Sequence, residues 1–158
     1  MPRPKDLREQ MEAAFVESFN PDDQIINLGE ASWMQLVGED HKPLPGIIGK
    51  AGAKGNAKVG GETVEIGADM VSMEPGSAFD THVHKGAHIL HFTEGRGMVH
   101  INGTDRKVDQ GDTIFIPALY AHGVKTYQDA DSDLTFVAFG VPHMPVESAD
   151  RMWTVEDE

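Results

Sequence analysis

The sequence predicts an all-β domain, built as an antiparallel barrel or double-sheet sandwich and preceded by a helical segment. Between residues 62 and 141, short runs rich in β-branched and aromatic residues follow one another, and Gly, Pro, Asn or Asp separates them. No helix-length segment interrupts these runs, so the strands are expected to pair with one another. A different periodicity, ahead of this region, predicts the helix.

That helix is predicted over residues 6–19, within an N-terminal part that extends to residue 61. Four apolar residues recur there at every fourth position and form one stripe, and Asn20-Pro21 ends the segment. The stripe consists of Leu7, Met11, Phe15 and Phe19. The run SWMQL, residues 32–36, then predicts a short strand.

A glycine-rich segment follows, over residues 41–61. Glycine recurs there at positions 46, 49, 52 and 55, which favours a mobile surface loop, with a lid or arm as the alternative. The order GxxxxGK[ST] is missing, which excludes a phosphate-binding P-loop.

Residues 62–141 carry the predicted barrel. Its strands are TVEI, ADMVSM, AHILHF, GMVHI, DTIFI and LTFVAF. Asn102-Gly103 predicts a hairpin turn. The aromatic and aliphatic residues expected mainly in the core are Phe79, Leu90, Phe92, Phe115 and Phe136. The tail, residues 142–158, is expected to strap across the barrel or to pack on a partner subunit.

Composition limits the classes of partner and compartment. The chain has 158 residues, a formal net charge of −13 and no cysteine. The negative charge argues against nucleic acid and anionic membranes as partners. The chain contains no run of eighteen apolar residues, so no transmembrane helix is predicted. Its N-terminus lacks the apolar core that is typical of a secretory signal. Without disulfides or thiolate ligands, the sequence fits a cytoplasmic protein.

Histidines are concentrated in the stretch DTHVHKGAHILHFTEG, residues 80–95. His82 and His84 are two apart, so they share one face of a strand. His88 begins the next strand and shares its inward face with Leu90 and Phe92, whereas His91 lies on the other face. Clustered imidazoles repel when they are protonated, but neutral imidazole is a common metal ligand. The trio therefore indicates a metal site.

Two sets of residues at fixed spacings extend this pattern. The first set is Gly76, His82, His84, His88 and Gly95, and the second is Gly111, Pro117 and His122. These spacings resemble the two motifs of the cupin family, with His88 at the usual glutamate position. The chain also departs from the family at Leu119, where a glycine is usual, and at Thr126, where an asparagine is usual.

The resemblance implies a double-stranded β-helix, or jelly-roll, in which His82, His84, His88 and His122 hold one metal per chain. An all-imidazole site suits Fe, Zn, Ni, Cu or Mn. Because histidine replaces the carboxylate, the charge of a divalent ion stays uncompensated, which favours a ligand that becomes an anion. The missing carboxylate also removes the obvious general base.

Other polar residues are weaker candidates. Tyr120 is predicted to donate a proton near the metal, with capping of the barrel mouth as the alternative. His91 and His100 are expected on outward faces. His41 and His143 are expected to have no special role, and DADSD, residues 129–133, is expected to be a solvated acidic turn.

Three functions fit this pattern. The first is a dioxygenase acting on an enolic, diketone or phenolic compound, which is what small cupins often are. The second is a non-redox lyase, isomerase or cyclase, and the third is a non-catalytic module that binds a small molecule. The exposed sheet edges and the helical arm predict a homodimer, with the N-terminal segment or the Trp33 strand crossing the interface.

Overall fold

A computed structural model describes residues 20–146, 148 and 152–155. The predicted helix over residues 6–19 lies outside the described residues. Within the described part, helical structure is confined to two 3₁₀ turns, Pro21–Asp23 and Glu39–His41. None of the helices described has the length and apolarity needed to cross a membrane. All other regular structure is β.

The described part of the chain contains eleven strands. They are β1 (Met34–Val37), β2 (Pro43–Val59), β3 (Glu62–Met73), β4 (His82–Val83), β5 (Ala87–Glu94), β6 (Arg96–Ile101), β7 (Thr104–Asp109), β8 (Thr113–Ile116), β9 (His122–Thr126), β10 (Leu134–Val141) and β11 (Trp153–Thr154). They form a six-stranded sheet in the order β1-β2-β3-β10-β5-β8 and a five-stranded sheet in the order β11-β4-β9-β6-β7. The predicted all-β, two-sheet architecture is confirmed.

The core lies between the inner faces of the two sheets. Leu90 and Phe92 of β5 are buried there, whereas Ile89, which precedes Leu90, is 45% exposed, as the predicted alternation requires. Phe79 and Phe136 are buried as well. The prediction that Phe115 is a core residue is wrong, because its side chain points outward from β8 and is 61% exposed.

The glycine-rich segment is a strand and not the predicted surface loop. β2 runs from Pro43 to Val59 and pairs with β3 along most of its length, with one irregularity between Ala51 and Lys54. The glycines are needed for close packing. A Cβ at Gly49 would lie 2.8 Å from Leu36 Cδ2, and one at Gly52 would collide with the Ala68 carbonyl oxygen. Glycine content alone therefore gave the wrong prediction here.

The neighbouring runs TVEI and ADMVSM belong to one strand, β3, because Gly67 continues the ladder between them. SWMQL is confirmed as the strand β1, shifted towards its C-terminal end. Asn102 and Gly103 form the predicted hairpin turn between β6 and β7, with φ angles of 51° and 74°. β7 and β9, whose sequences are largely polar, were not predicted as strands.

The tail straps across both sheets, which was one of its two predicted placements. The backbone N–H of His143 donates to the Glu65 carbonyl at 2.7 Å, which holds the tail against β3. Val146 is buried in the core. Further along, β11 pairs with β4, so that Trp153 lies opposite Val83.

Candidate metal centre

Strands of both sheets bring the predicted histidines together. His82 lies in β4, His84 directly follows that strand, and His88 is the second residue of β5. His122 begins β9 and pairs in register with His82. The ring centroids are 4.5 Å apart for His82 and His122, 4.8 Å for His84 and His122, and 4.6 Å for His84 and His88. The four imidazoles therefore form one cluster.

Backbone carbonyls orient three of these rings. The Nδ1 atoms of His82, His84 and His122 lie 2.7, 2.8 and 2.7 Å from the carbonyl oxygens of Asp80, Gly86 and Tyr120. A carbonyl oxygen only accepts hydrogen bonds, so each Nδ1 is the donor. A neutral ring with its proton on Nδ1 carries its lone pair on Nε2. This is the arrangement found in metal-binding histidines.

The spacing of the ring nitrogens fits one shared ion. The candidate ligand atoms of the buried residues His82, His84 and His122 all lie within 4.8 Å of one another. His88 approaches through its Nε2, which is 3.2 Å from His122 Nε2. Two nitrogens that bind one ion at about 2.0–2.1 Å stand roughly 3.0–3.4 Å apart. The cluster is thus consistent with a histidine metal site.

Burial lowers the pKa of His122 below its ordinary value of 6.5, and the hydrogen bond to the Tyr120 carbonyl opposes this shift. The desolvation of the charged form is the larger effect. His122 therefore stays neutral further into the acidic range than an exposed histidine does. A neutral ring is the form that binds a metal.

A cavity adjoins the cluster, between the two sheets. Its volume, taken as the space open to the centre of a water molecule, is about 40 Å³. That is room for roughly three waters. Apolar side chains form much of its wall, and they include Val71, Phe79, Leu90, Val124 and Phe136. A small organic group therefore fits beside the imidazoles.

The same cavity contains a carboxylate that the sequence analysis missed. Asp69 of β3 is buried and lines the cavity together with His143 of the tail. His143 Nε2 lies 2.7 Å from Asp69 Oδ2, and His143 Nδ1 lies 2.9 Å from Glu65 Oε1. The side chain of His143 is only 4% exposed. The sequence analysis assigned no special role to His143 and did not anticipate its contacts with these two carboxylates.

Tyr120 lies at the edge of this arrangement. Its backbone carbonyl orients His122, but its side chain is 40% exposed and is not among the residues that line the cavity. The predicted proton donation by its hydroxyl stays a prediction.

The remaining candidates lie away from the cavity. His100 Nδ1 is 2.6 Å from Asp105 Oδ1, and this hydrogen bond, together with one from Lys125, lowers the pKa of Asp105. His91 shares the outward side of β5 with Ile89. His41 is exposed in the second 3₁₀ turn, and Asp129, Asp131 and Asp133 are exposed between β9 and β10, as expected for an acidic turn.

Comparison with known proteins agrees with this geometry. The family model described as a cupin domain matches residues 69–138, inside the predicted barrel. KdgF from Halomonas sp. is 21% identical, with a TM-score of 0.59 over 76% of this chain and 95% of that chain. The polyketide cyclase RemF from Streptomyces resistomycificus is 16% identical, with a TM-score of 0.57 over 84% of this chain and 87% of that one.

A third similar structure is a sugar phosphate isomerase from Silicibacter pomeroyi. It is 19% identical, with a TM-score of 0.58, and 76% of each chain is covered. No curated protein matches the chain significantly. At these identities the structures establish a common fold. The family match, the two-sheet architecture and the buried histidine cluster agree with the predicted resemblance, and residues 69–138 belong to a cupin domain.

Proposed function

We propose that His82, His84, His88 and His122 hold one divalent transition metal, and that the chain is an enzyme acting on a carbonyl group of a small organic molecule. The observation that carries this proposal is the position of the cluster beside an apolar cavity. A structural metal site would be closed by its protein ligands, whereas this site has room for a further molecule. The ligand set suits Fe, Zn, Ni, Cu or Mn.

The chemistry that such an ion supplies is Lewis acidity, which stabilises negative charge on a carbonyl oxygen. The protein contributes the rest. The carbonyls of Asp80, Gly86 and Tyr120 fix three imidazoles, so little reorganisation is needed during a reaction. The apolar walls exclude water and strengthen electrostatic interactions within the cavity.

The best-supported class is a non-redox isomerase, cyclase or lyase. His88 Nε2 lies 3.2 Å from His122 Nε2, so a fourth imidazole occupies a position that an oxygenase would leave for O₂. A Lewis acid needs only one exchangeable position for the substrate oxygen. The names of two similar structures, a cyclase and an isomerase, agree with this class.

A dioxygenase acting on an enolic, diketone or phenolic compound is the second candidate. The all-imidazole ligand set favours it, because such a set keeps the positive charge of a redox metal available to an anionic substrate. The third function, binding without catalysis, predicts metal and ligand affinity but no turnover.

The test separates these three functions. Protein purified without a chelating tag is analysed for its metal, then loaded in turn with Fe, Cu, Ni, Mn and Zn. Conversion of a carbonyl substrate by the Zn form without oxygen supports the first class. Oxygen consumption with β-diketones, phenols or enols by the Fe or Cu form would replace it with the dioxygenase. Absence of turnover in every form, with ligand affinity retained, would leave a binding module.

We also propose that two copies of the chain pair through the outer face of the six-stranded sheet. Phe139, Ile89 and Phe115 lie in one cross-strand row on this face, and each is between 45% and 61% exposed. With strands about 4.8 Å apart, this row spans three strands and is roughly 15 Å wide. Contiguous exposed apolar patches on a protein surface mark interaction sites. A crossing by the N-terminal segment or the Trp33 strand, and a cytoplasmic location, stay predictions.

A further inference from the structure

Glu65, Gly67 and Asp69 are alternate residues of β3 and therefore share one face of the strand. The imidazole of His143 lies directly over Gly67, where a Cβ would be 2.6 Å from His143 Cδ2. In this position the ring spans the two carboxylates, at 2.9 Å from Glu65 and 2.7 Å from Asp69. The glycine between the two acidic residues thus leaves the space that the His143 ring occupies.

The contacts of the ring indicate how its protons are arranged. Ionised carboxylates only accept hydrogen bonds, so a ring that faces one at each nitrogen is satisfied when both nitrogens carry protons. Glu65, His143 and Asp69 together then carry a net charge of −1. Glu65 is at the surface end of this group, with 38% of its side chain exposed, whereas Asp69 has 6% exposed. The negative charge that faces the cavity is therefore that of Asp69.

Strand register places Asp69 across the cavity from the histidine cluster. Asp69 pairs with Ala138 of β10, and the next inward residue of β10, Gly140, pairs with His88 of β5. From strand spacings, the Cα atoms of Asp69 and His88 are about 12 Å apart. Ala138 and Gly140, which lie between them and line the cavity, have almost no side chain. The gap between the Asp69 carboxylate and the imidazoles is therefore about the size of a small molecule.

We propose that Asp69 is the general base of this site and that His143, held by Glu65, positions it. The inference rests on the proposed carbonyl chemistry. A substrate C–H bond next to the carbonyl breaks, its proton moves to an oxygen of Asp69, and its electron pair becomes the C=C bond of an enolate. The carbonyl π pair moves to the carbonyl oxygen. When the α-carbon carries a hydroxyl group, that hydroxyl proton moves to the enolate oxygen, and the proton on Asp69 is delivered to the former carbonyl carbon. The α-carbon then becomes the new carbonyl carbon, which gives an isomer without consuming an oxidant or reductant.

The test follows proton exchange in the full-length, Zn-loaded protein. Pyruvate and dihydroxyacetone are incubated in D₂O, and the loss of their C–H signals is followed by NMR. Asp69→Asn keeps the shape and the acceptor oxygen but removes the base, so we expect exchange at least about 100-fold slower with unchanged zinc content. Asp105→Asn is the matched control, because Asp105 also pairs with a histidine but lies on the other sheet. It should exchange at the wild-type rate.

Two further measurements distinguish a catalytic from a structural role. Histidine-ring ¹⁵N NMR of the metal-free chain should show protons on both nitrogens of His143. Unfolding midpoints should fall similarly for Asp69→Asn and Glu65→Gln, because each weakens one side of the same ring contact, whereas Asp69→Asn should lose more exchange. Wild-type exchange in Asp69→Asn, or its loss in Tyr120→Phe instead, would overturn the assignment. No exchange of either probe by the wild-type protein, with His143 doubly protonated, would overturn the proposed function instead.

Discussion

His88 and His122 face each other with their Nε2 atoms 3.2 Å apart, although 34 positions separate them in the chain. Because His122 donates from Nδ1 to the Tyr120 carbonyl, its neutral ring presents a lone pair at Nε2. Two imidazole nitrogens at this distance share either a proton or a cation. The positions of His82 and His84 beside them favour the cation, since their candidate ligand atoms and that of His122 all lie within 4.8 Å of one another.

Alanine substitutions test this assignment directly. His82→Ala, His84→Ala and His122→Ala should each lose most of the bound metal, because each removes one inward nitrogen from a buried site. Elemental analysis of the purified variants gives the metal content per chain. His91→Ala, which changes the outward side of β5, should keep about one metal per chain. Full occupancy in any of the three variants would remove that histidine from the ligand set.

His88→Glu should still bind metal, because a carboxylate oxygen can replace an imidazole nitrogen at that position. The added negative charge should change which metal is preferred. Competition between Zn and Mn, measured by elemental analysis after dialysis against both, should shift towards Mn relative to the wild type. An unchanged preference would indicate that His88 does not contact the ion.

The lowered pKa of His122 predicts how the metal-free protein responds to acid. Between the folded pKa and the ordinary value of 6.5, the unfolded chain binds a proton that the folded chain does not. Stability is therefore highest above pH 6.5, falls as the pH drops through this window, and stops falling below the folded pKa. One group contributes at most about 1.4 kcal/mol per pH unit.

Urea unfolding of metal-free protein between pH 5 and pH 8 measures this dependence. His122→Gln should flatten the curve in this range, because the titrating group is gone. Asp105 acts in a separate, more acidic window. Its pKa lies below 3.8, so its stabilising contribution is lost only as the pH falls from 3.8 through this lowered pKa. An equal slope in wild type and His122→Gln would assign the dependence to other groups.

The parts of the fold that the sequence predicted are those in which one strand face is apolar. β5, β6, β8 and β10 alternate or concentrate apolar residues, and the histidines lie at spacings that matched a known pattern. β2 was missed because its glycines resemble a loop, although packing against Leu36 and Ala68 requires them. β7 was missed because it is the exposed edge strand of its sheet and most of its residues are polar.

Asp69 and His143 could not be paired from the sequence, because 74 positions separate them and the histidine lies in a tail between prolines. One local signal did exist. Glu65, Gly67 and Asp69 place two carboxylates on one face of a strand, where a buried sheet face normally carries apolar residues. Such a pattern indicates that a cationic or hydrogen-bonding partner comes from elsewhere in the chain.

The imidazole of His143 lies against Gly67, so any side chain added at position 67 should clash with it. Gly67→Ala should destabilise the protein by about 1–3 kcal/mol, because the added methyl group overlaps the imidazole ring. Gly55→Ala is the matched control. Gly55 lies on the neighbouring strand β2, and a Cβ there meets nothing within 4 Å. Urea unfolding should place that variant within about 0.5 kcal/mol of wild type. Equal effects at the two positions would mean that His143 does not occupy the space over Gly67.

The outer face of the six-stranded sheet predicts the oligomeric state. Phe139 is 48% exposed and pairs with Ile89 in the cross-strand row of the apolar patch. If a second copy covers this patch, Phe139→Glu places two charges in the interface and should give a monomer without unfolding the chain. Leu119→Glu is the control, because Leu119 is 62% exposed in the loop before β9, outside this face. Light scattering at micromolar concentration should show a dimer for wild type and Leu119→Glu and a monomer for Phe139→Glu. A wild-type monomer would remove the proposed pairing, and a dimeric Phe139→Glu protein would move it to another surface.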